Sequence, residues 1–234
     1  MNKKALVILS LTLVLIIVLG GCMQQKSNLE KVNDLVSLRQ TMLLEGGNDD
    51  FRVCINQTMQ EELFVADGKV GKLVEKTDLT VKPNKAELLD KTYKYTIVGE
   101  KGTLEGELTK DRLGVMFVDD IEGIANIGRV LQVKVKYDDK EVTIELADKM
   151  SQGLGSSEAL EIAYNTFKDK IDQALASDKG LSREVYIKMV SNKNGTNDSY
   201  WYVSFIASTS DYWSVLVNVS NGEVVSKREH CIEK

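Results

Sequence analysis

Leu131–Leu146, which reads LQVKVKYDDKEVTIEL, carries the clearest structural signal in the chain. Apolar residues alternate with polar or charged residues along both of its halves, and Asp138-Asp139-Lys140 separates the two halves. A period of two residues is typical of a β-strand with one face on a core and the other in solvent. The stretch therefore predicts an antiparallel hairpin that lies on a hydrophobic core.

The chain before this hairpin also has the pattern of strands. Asp67-Gly68 separates two apolar-rich runs and is a recognised hairpin signal. Further apolar-rich runs lie at 93–98, 102–108 and 113–118. We therefore expect a mostly antiparallel β domain over residues 51–150.

A helix is expected ahead of this domain. Ser27 and Glu30 have the spacing of a capping box. Apolar residues then recur with a helical period as far as Gly46-Gly47. We assign a helix to residues 28–45, within a segment 22–50 that serves as anchor spacer and helix.

The small, polar stretch 151–156 favours a domain boundary, because it contains two glycines and two serines. A helix is expected next, over 157–176. Its apolar residues form one stripe, made of Leu160, Ala163, Tyr164, Phe167, Ile171 and Leu175. Four strands are expected after it, at 184–190, 200–207, 213–219 and 223–228. Residues 151–234 thus predict a helix packed on an antiparallel sheet.

This C-terminal part resembles a PepSY-type domain. The resemblance rests on the stretches SEALEIA at 157–163, WYVSF at 201–205 and VLVNVSNGEVV at 215–225. It implies a small extracytoplasmic regulatory or inhibitory module, of a kind often linked to proteases, and it brings no catalytic residues. The expected fold class is α+β, with a mostly antiparallel β domain followed by a helix-on-antiparallel-sheet, PepSY-like domain.

The N-terminus has the layout of a secretory signal peptide over residues 1–21. Lys3 and Lys4 precede an apolar run from Ala5 to Leu19, and small residues follow. The run ends in Leu19-Gly20-Gly21-Cys22, which resembles the lipobox of prokaryotic lipoproteins. That resemblance implies cleavage before Cys22 and acylation of its thiol, which would anchor an extracytoplasmic protein to the cell membrane. An uncleaved transmembrane anchor is the alternative, and it places the following residues on the same side.

The charge of the chain excludes one class of partner. The net charge is −5 for the whole chain and −7 once the two lysines of the signal are removed. Nucleic-acid binding needs clustered cations that displace counterions, so we expect no nucleic-acid partner. The membrane is instead contacted through the N-terminal lipid.

Cys54 and Cys231 are the two cysteines that remain if Cys22 is acylated. An even number of thiols in an extracytoplasmic compartment is compatible with a disulfide. Two unrelated thiols are the alternative, because spacing alone cannot establish proximity.

No motif of the chain predicts catalysis, a metal site or a cofactor. His230 is the only histidine, and its neighbour Cys231 would point away from it on a strand. The acidic pairs at 49–50, 119–120 and 138–139 lack the alternating oxygen ligands of an EF-hand. We therefore expect a non-enzymatic protein.

Aromatic residues are concentrated in the last third of the chain. Tyr200, Tyr202, Tyr212 and Trp213 are candidates for an exposed surface that binds a peptide or glycan. The alternative is that some of them fill the core.

The leading hypothesis is a membrane-anchored lipoprotein that binds or regulates an envelope protein, a protease being one candidate partner. An envelope hydrolase that uses acidic residues is the first alternative, and it requires two carboxylates that face each other in a deep pocket. A solute-binding lipoprotein is the second, and it requires a cleft between two lobes.

Overall fold

The structure is a computed structural model that describes residues 26–63, 65–191 and 198–231. The predicted signal peptide 1–21 and Cys22 lie outside the described residues. The helices of the described part are α1 (Asn28–Asn33), α2 (Ser156–Thr166) and α3 (Lys168–Leu175), with short 3-10 turns at Ala86–Leu88 and Ile124–Ile127. The strands are β1 (Val36–Gly47), β2 (Phe51–Glu61), β3 (Leu73–Pro83), β4 (Tyr93–Gly99), β5 (Thr103–Lys110), β6 (Phe117–Asp120), β7 (Val130–Tyr137), β8 (Lys140–Glu145), β9 (Ala147–Asp148), β10 (Glu184–Ser191), β11 (Ser199–Ser208), β12 (Asp211–Asn218) and β13 (Val224–His230).

The predicted fold class is wrong, because the described strands form one large mixed sheet. The described strands follow the order β13-β12-β11-β10-β1-β2-β3-β6-β5-β4-β7-β8, and β9 pairs with β1. The β1–β10 pair is parallel, and its neighbours are antiparallel. This parallel pair joins the strands from both parts of the chain into a large mixed sheet, instead of a PepSY-like helix-on-sheet domain placed after a β domain.

The helix predicted over 28–45 is also wrong beyond its first turns. The Ser27–Glu30 capping box is present, with the Glu30 N–H donating to Ser27 Oγ over 3.2 Å. The helix ends at Asn33, however, and β1 begins at Val36. A strand that is buried on both faces has apolar residues at successive positions, and such a run also satisfies a helical period.

The hydrophobic residues form two cores. One lies where the sheet folds back on itself, so that Phe51 of β2 contacts the rings of Tyr93 in β4 and Tyr137 in β7. We call it the strand core. The other, the helix core, lies between the helices and the strands β10–β12. Strand β1 contributes Leu44 to the strand core and Leu43 to the helix core, because successive side chains of a strand point to opposite faces.

The hairpin predicted from Leu131–Leu146 is confirmed. Strands β7 and β8 pair from Gln132 opposite Glu145 to Tyr137 opposite Lys140. Asp138 has a φ of 50°, a left-handed conformation that Asp tolerates in tight turns. The polar face carries ion pairs from Lys134 and Lys136 to Glu141, over 3.3 and 3.2 Å.

The helix predicted over 157–176 is two helices that meet at Phe167. This residue has φ −115° and ψ 18°, and it ends α2 and precedes α3. The apolar stripe is nevertheless confirmed, since Leu160, Ala163, Tyr164, Phe167 and Ile171 are all buried in the helix core.

The stretch 151–156, predicted as a boundary, is tied to the helix core. The Leu154 N–H donates to the Val219 carbonyl over 2.8 Å, and the indole N–H of Trp201 donates to the Leu154 carbonyl over 2.7 Å. The division of the chain at 150–151 stays a prediction.

Candidate binding surface on the open face of the sheet

One face of strands β10–β13 carries the helices, and the other face is open. Trp201, Val203 and Phe205 of β11 point into the helix core. Because side chains alternate along a strand, Tyr200 and Tyr202 lie on the open face. We call this side of β10–β13 the open face.

Two small residues create a depression on the open face. Ser204 of β11 lies directly opposite Ser214 of β12. Larger side chains flank this pair, and a cavity of about 270 Å³ is lined by Tyr202, Tyr212, Ser214, Val215, Leu216, Ser226 and Arg228. Hydroxyl groups and one guanidinium therefore surround a space wide enough for a side chain of a partner.

Cationic and ring nitrogens border the tyrosines. Lys188 Nζ lies 5.6 Å from the ring centroid of Tyr202, and the His230 ring stacks at 5.7 Å on Tyr212. Arg228 is paired across the sheet with Ser214 and is exposed. We call Lys188, Tyr202, Tyr212, Arg228 and His230 the tyrosine patch.

The tyrosine patch is positive although the chain is acidic. Among the described residues, neither Lys188 nor Arg228 forms an ion pair with a carboxylate. Tyrosine and arginine are enriched at protein interfaces, whose energetic centres they often form. The patch is therefore suited to an acidic segment of a partner.

Strand β13 leaves a free backbone edge beside the patch. In the described part of the chain it is the last strand of the sheet and pairs only with β12. An unpaired edge can accept a further strand from another chain. The exposed charges of Lys227, Arg228 and Glu229 protect such an edge from indiscriminate pairing.

The structure places three of the four predicted surface residues on the open face. Tyr200, Tyr202 and Tyr212 are half-buried on the open face. Burial, followed by the charge of Asp198, raises the pKa of the Tyr200 hydroxyl.

Trp213 is not part of this surface. It is buried in the helix core, where its ring contacts Phe167 and the guanidinium of Arg183 lies 4.0 Å from its centroid. Tyr212 and Trp213 are adjacent on β12, and adjacent residues of a strand face opposite ways, so only Tyr212 reaches the open face.

Sequence reasoning missed the cationic members of the patch. Arg228 lies opposite Ser214, and Lys188 lies opposite Tyr202. The alternation of β13 could have placed Arg228 and His230 on one face, but their position beside the tyrosines depends on the register between strands.

The structure does not bring Cys54 and Cys231 together, and they are not bonded to each other. Cys54 lies on β2 and Cys231 follows β13, with four strands between them in the sheet. At about 4.8 Å per strand the separation along the sheet is about 24 Å, whereas bridged cysteines have Cα atoms within about 7 Å.

A pair of buried carboxylates lies under the β2–β3 loop. Glu184 accepts hydrogen bonds from the N–H groups of Asp67 and Gly68, over 2.9 and 3.3 Å, and Glu61 accepts one from Gly71. Burial, with a further contribution from the charge of Glu61, raises the pKa of Glu184. Both residues are covered, with 0% and 3% of their surface exposed, so this conformation gives a substrate no access to them.

The remaining acidic residues do not form a metal centre in the described part of the chain. No group of three or more His, Cys, Asp or Glu there is arranged to hold a metal ion. In the acidic pair at 119–120, Asp119 accepts a hydrogen bond from the Tyr95 hydroxyl over 2.7 Å. Asp120 lies opposite Asp78, whose pKa is raised mainly by burial.

A second cavity, of about 350 Å³, lies between β1 and the β7–β8 hairpin. Its lining combines apolar, polar and charged residues and comprises Thr41, Met42, Leu44, Gly128, Arg129, Val130, Leu131, Leu146, Asp148 and Met150. Its volume is within the range of small-molecule sites.

Comparisons of the chain with protein-family models, with curated proteins and with solved structures find no match. Within the described residues, no helix combines the length and the apolar character that crossing a membrane requires.

Proposed function

We propose that this protein is a lipid-anchored extracytoplasmic protein that binds another protein of the cell envelope through the tyrosine patch and the edge of β13, without catalysing a reaction. The observation that carries the proposal is the juxtaposition of two half-buried tyrosines, unpaired cations and a free strand edge on one open face. The anchor is supported by the apolar run and the Leu-Gly-Gly-Cys sequence that ends at Cys22.

The geometry favours an extended, acidic segment of the partner. Such a segment adds to the backbone of β13, and every second side chain then lies on the open face. A carboxylate at one of these positions reaches the guanidinium of Arg228, which can bind it in a bidentate manner. An aromatic or aliphatic side chain fills the space between Tyr202 and Tyr212.

The proposal is tested by photo-crosslinking in cells. A photoreactive amino acid at Ser226, which lines the depression, should capture a discrete partner. Arg228→Ala and Tyr202→Ala should each reduce the crosslinked species severalfold, because they remove a charge and a contact surface. Arg52→Ala is the matched control, since Arg52 is an exposed arginine on β2, away from the patch. Equal yields in all variants would contradict the proposal.

A second candidate function is solute binding in the cavity between β1 and the β7–β8 hairpin. The cavity places the apolar side chains of Val130 and Leu131 beside Arg129, whose ion pair with Glu100 a bound carboxylate would replace. Medium-chain fatty acids should then raise the thermal unfolding midpoint, and Leu131→Trp, which fills the cavity, should abolish the shift. A thermal unfolding midpoint that no medium-chain fatty acid changes would exclude binding of fatty acids in this cavity.

A further inference from the structure

The loop between β2 and β3 exposes apolar side chains to solvent. Leu63 is 82% exposed and Val65 is 55% exposed, and Leu73 at the start of β3 is also exposed. We call Leu63, Val65 and Leu73 the apolar tip. Contiguous exposed apolar residues mark surfaces that contact a protein or a membrane.

The loop that carries the apolar tip is held in place on both sides. At its base, the Glu62 N–H donates to the Lys72 carbonyl over 2.9 Å, and the side chains of the same residues form an ion pair over 2.9 Å. Farther along, Gly68 has a φ of +79°, and an added Cβ would lie 2.5 Å from the Ser182 carbonyl oxygen. The fold therefore presents these apolar residues outward.

The apolar tip lies at the end of the sheet where the described chain begins. Strand β1 runs antiparallel to β2, with Leu38 opposite Gln60, so the start of β1 lies beside the end of β2. Lys26, the first described residue, forms an ion pair of 2.6 Å with Asp34. Asp34 lies two residues before the start of β1.

The distance to the proposed lipid anchor is short. The chain from Cys22 to Lys26 spans at most about 14 Å, because each residue extends the chain by about 3.5 Å. The start of β1 is therefore kept near the lipid headgroups, within that distance plus the lengths of the two paired side chains and of the two residues from Asp34 to Val36.

We propose that the apolar tip inserts into the surface of the lipid bilayer and that this second contact fixes the orientation of the protein on the membrane. The proposal rests on the lipid anchoring proposed above. Leu63 and Val65 enter the boundary between headgroups and acyl chains, and Lys69 and Lys72 of the same loop remain among the headgroups. The acyl chains of the anchor hold the protein at the membrane at one point only, and a second apolar contact restricts its rotation about that point.

This orientation has a consequence for the tyrosine patch. Strands β10 and β1 are parallel, so Glu184 at the start of β10 lies at the membrane end of the sheet. Ile206 of β11 lies opposite both Glu184 and Tyr212, and Tyr212 lies opposite His230. These residues form one row across β10–β13, so Tyr212 and His230 lie at the same end of the sheet as Glu184. The patch therefore lies close to the bilayer and faces sideways, where a membrane-embedded partner can reach it.

The opposite end of β3 offers a matched control. Leu113 is 79% exposed, in the turn between β5 and β6. Phe117, which follows this turn, pairs with Val81. Val81 is eight residues along β3 from Leu73, or about 27 Å away at 3.4 Å per residue.

The test uses the full chain, purified with its lipid and reconstituted into vesicles of brominated phosphatidylcholine and phosphatidylglycerol. Leu63→Trp and Leu113→Trp each add one exposed tryptophan, and the native Trp201 and Trp213 are buried. Bromine quenches only a tryptophan in contact with the acyl chains. We expect quenching several times stronger in Leu63→Trp than in Leu113→Trp, and Val65→Trp should behave like Leu63→Trp.

Two results would overturn the proposal, and they are distinguishable. If the variants sediment with the vesicles but Leu63→Trp and Val65→Trp are quenched no more than Leu113→Trp, the anchor holds and the apolar tip does not insert. The tip is then a surface for a protein. If the chain stays in the supernatant, both the anchor and the insertion are wrong.

Discussion

Phe167 connects the two short helices to the sheet. Its ring packs edge-on against Phe205 at 5.9 Å and lies at the same distance from Trp213. The neighbouring Lys168 points outward, but it is engaged as well, with Nζ 2.5 Å from Asp172 and 2.9 Å from the Tyr164 hydroxyl. The hydrogen bonds that Asp172 accepts from Lys168, Tyr164 and Asn28 lower its pKa to about 2.

Truncation of Phe167 should cost much of the stability of the protein. Phe167→Ala leaves a cavity in the helix core, and we expect the free energy of unfolding to fall by about 3 to 5 kcal/mol. Denaturant unfolding measures the change. Glu161→Ala, at an exposed position of α2, is the control and should have little effect. Similar effects of the two substitutions would mean that the ring is not buried.

Glu184 makes stability depend on pH. Asp67, Glu61 and Tyr186 are the titratable residues around it, and burial with the charges of Glu184 and Glu61 raises the pKa of Tyr186 to about 12. Because the pKa of Glu184 is raised in the folded protein, folding favours its protonated form. Its contribution to stability is therefore complete below the pKa of the unfolded chain and is lost as the pH rises through the folded value.

Glu184→Gln should consequently stabilise the protein at neutral pH. The amide oxygen can still accept the hydrogen bonds of Asp67 and Gly68, and it carries no charge. We expect a higher thermal unfolding midpoint than wild type at pH 7 and no difference below about pH 4. Glu75→Gln, on an exposed part of β3, should show no such pH dependence. A difference in unfolding midpoint between Glu184→Gln and wild type that widened on acidification would refute this account.

At the scale of elements, β1 is the strand on which both cores depend. One of its edges pairs with β2, and the other pairs with β10 and then with β9. Val32 of α1 and Val36 of β1 are buried in the helix core, together with residues from 159–219. The C-terminal segment therefore shares its core with the N-terminal one.

We accordingly expect residues 156–234 not to fold alone, since β10 would lose a neighbouring strand and the core would lose Val32, Val36 and Leu43. Residues 26–47 joined by a short Gly-Ser linker to 148–234 should restore a cooperative thermal transition. The linker can be short, because the Lys149 N–H donates to the Leu43 carbonyl over 2.9 Å. A cooperative transition in 156–234 alone would instead establish an independent domain.

At the scale of the whole molecule, the proposed lipid anchor would determine where the tyrosine patch works. Cys22→Ser removes the thiol that would carry the lipid, so lipid labelling should disappear. The protein should then move to the aqueous phase in detergent partitioning, or an uncleaved precursor should accumulate. Cys231→Ser, an exposed cysteine beyond β13, should keep the label. Unchanged labelling of Cys22→Ser would refute the lipoprotein interpretation.

Local patterns predicted those elements whose two faces differ. The β7–β8 hairpin and the four C-terminal strands alternate between core and solvent, and the stripe from Leu160 to Ile171 has a helical period. In each case a single buried face leaves its period in the sequence, so the element can be recognised without knowledge of its neighbours.

The sequence by itself thus determined these half-buried elements and the acidic charge of the chain. Only the tertiary structure decided that residues 36–47 form a strand, that β1 pairs with β10, and that Arg228 and Lys188 lie beside Tyr202. It also decided that Trp213 is buried and that Cys54 and Cys231 are far apart. The physical reason is that pairing between strands distant in sequence depends on contacts across the whole sheet, and a strand buried on both faces has no period to reveal it.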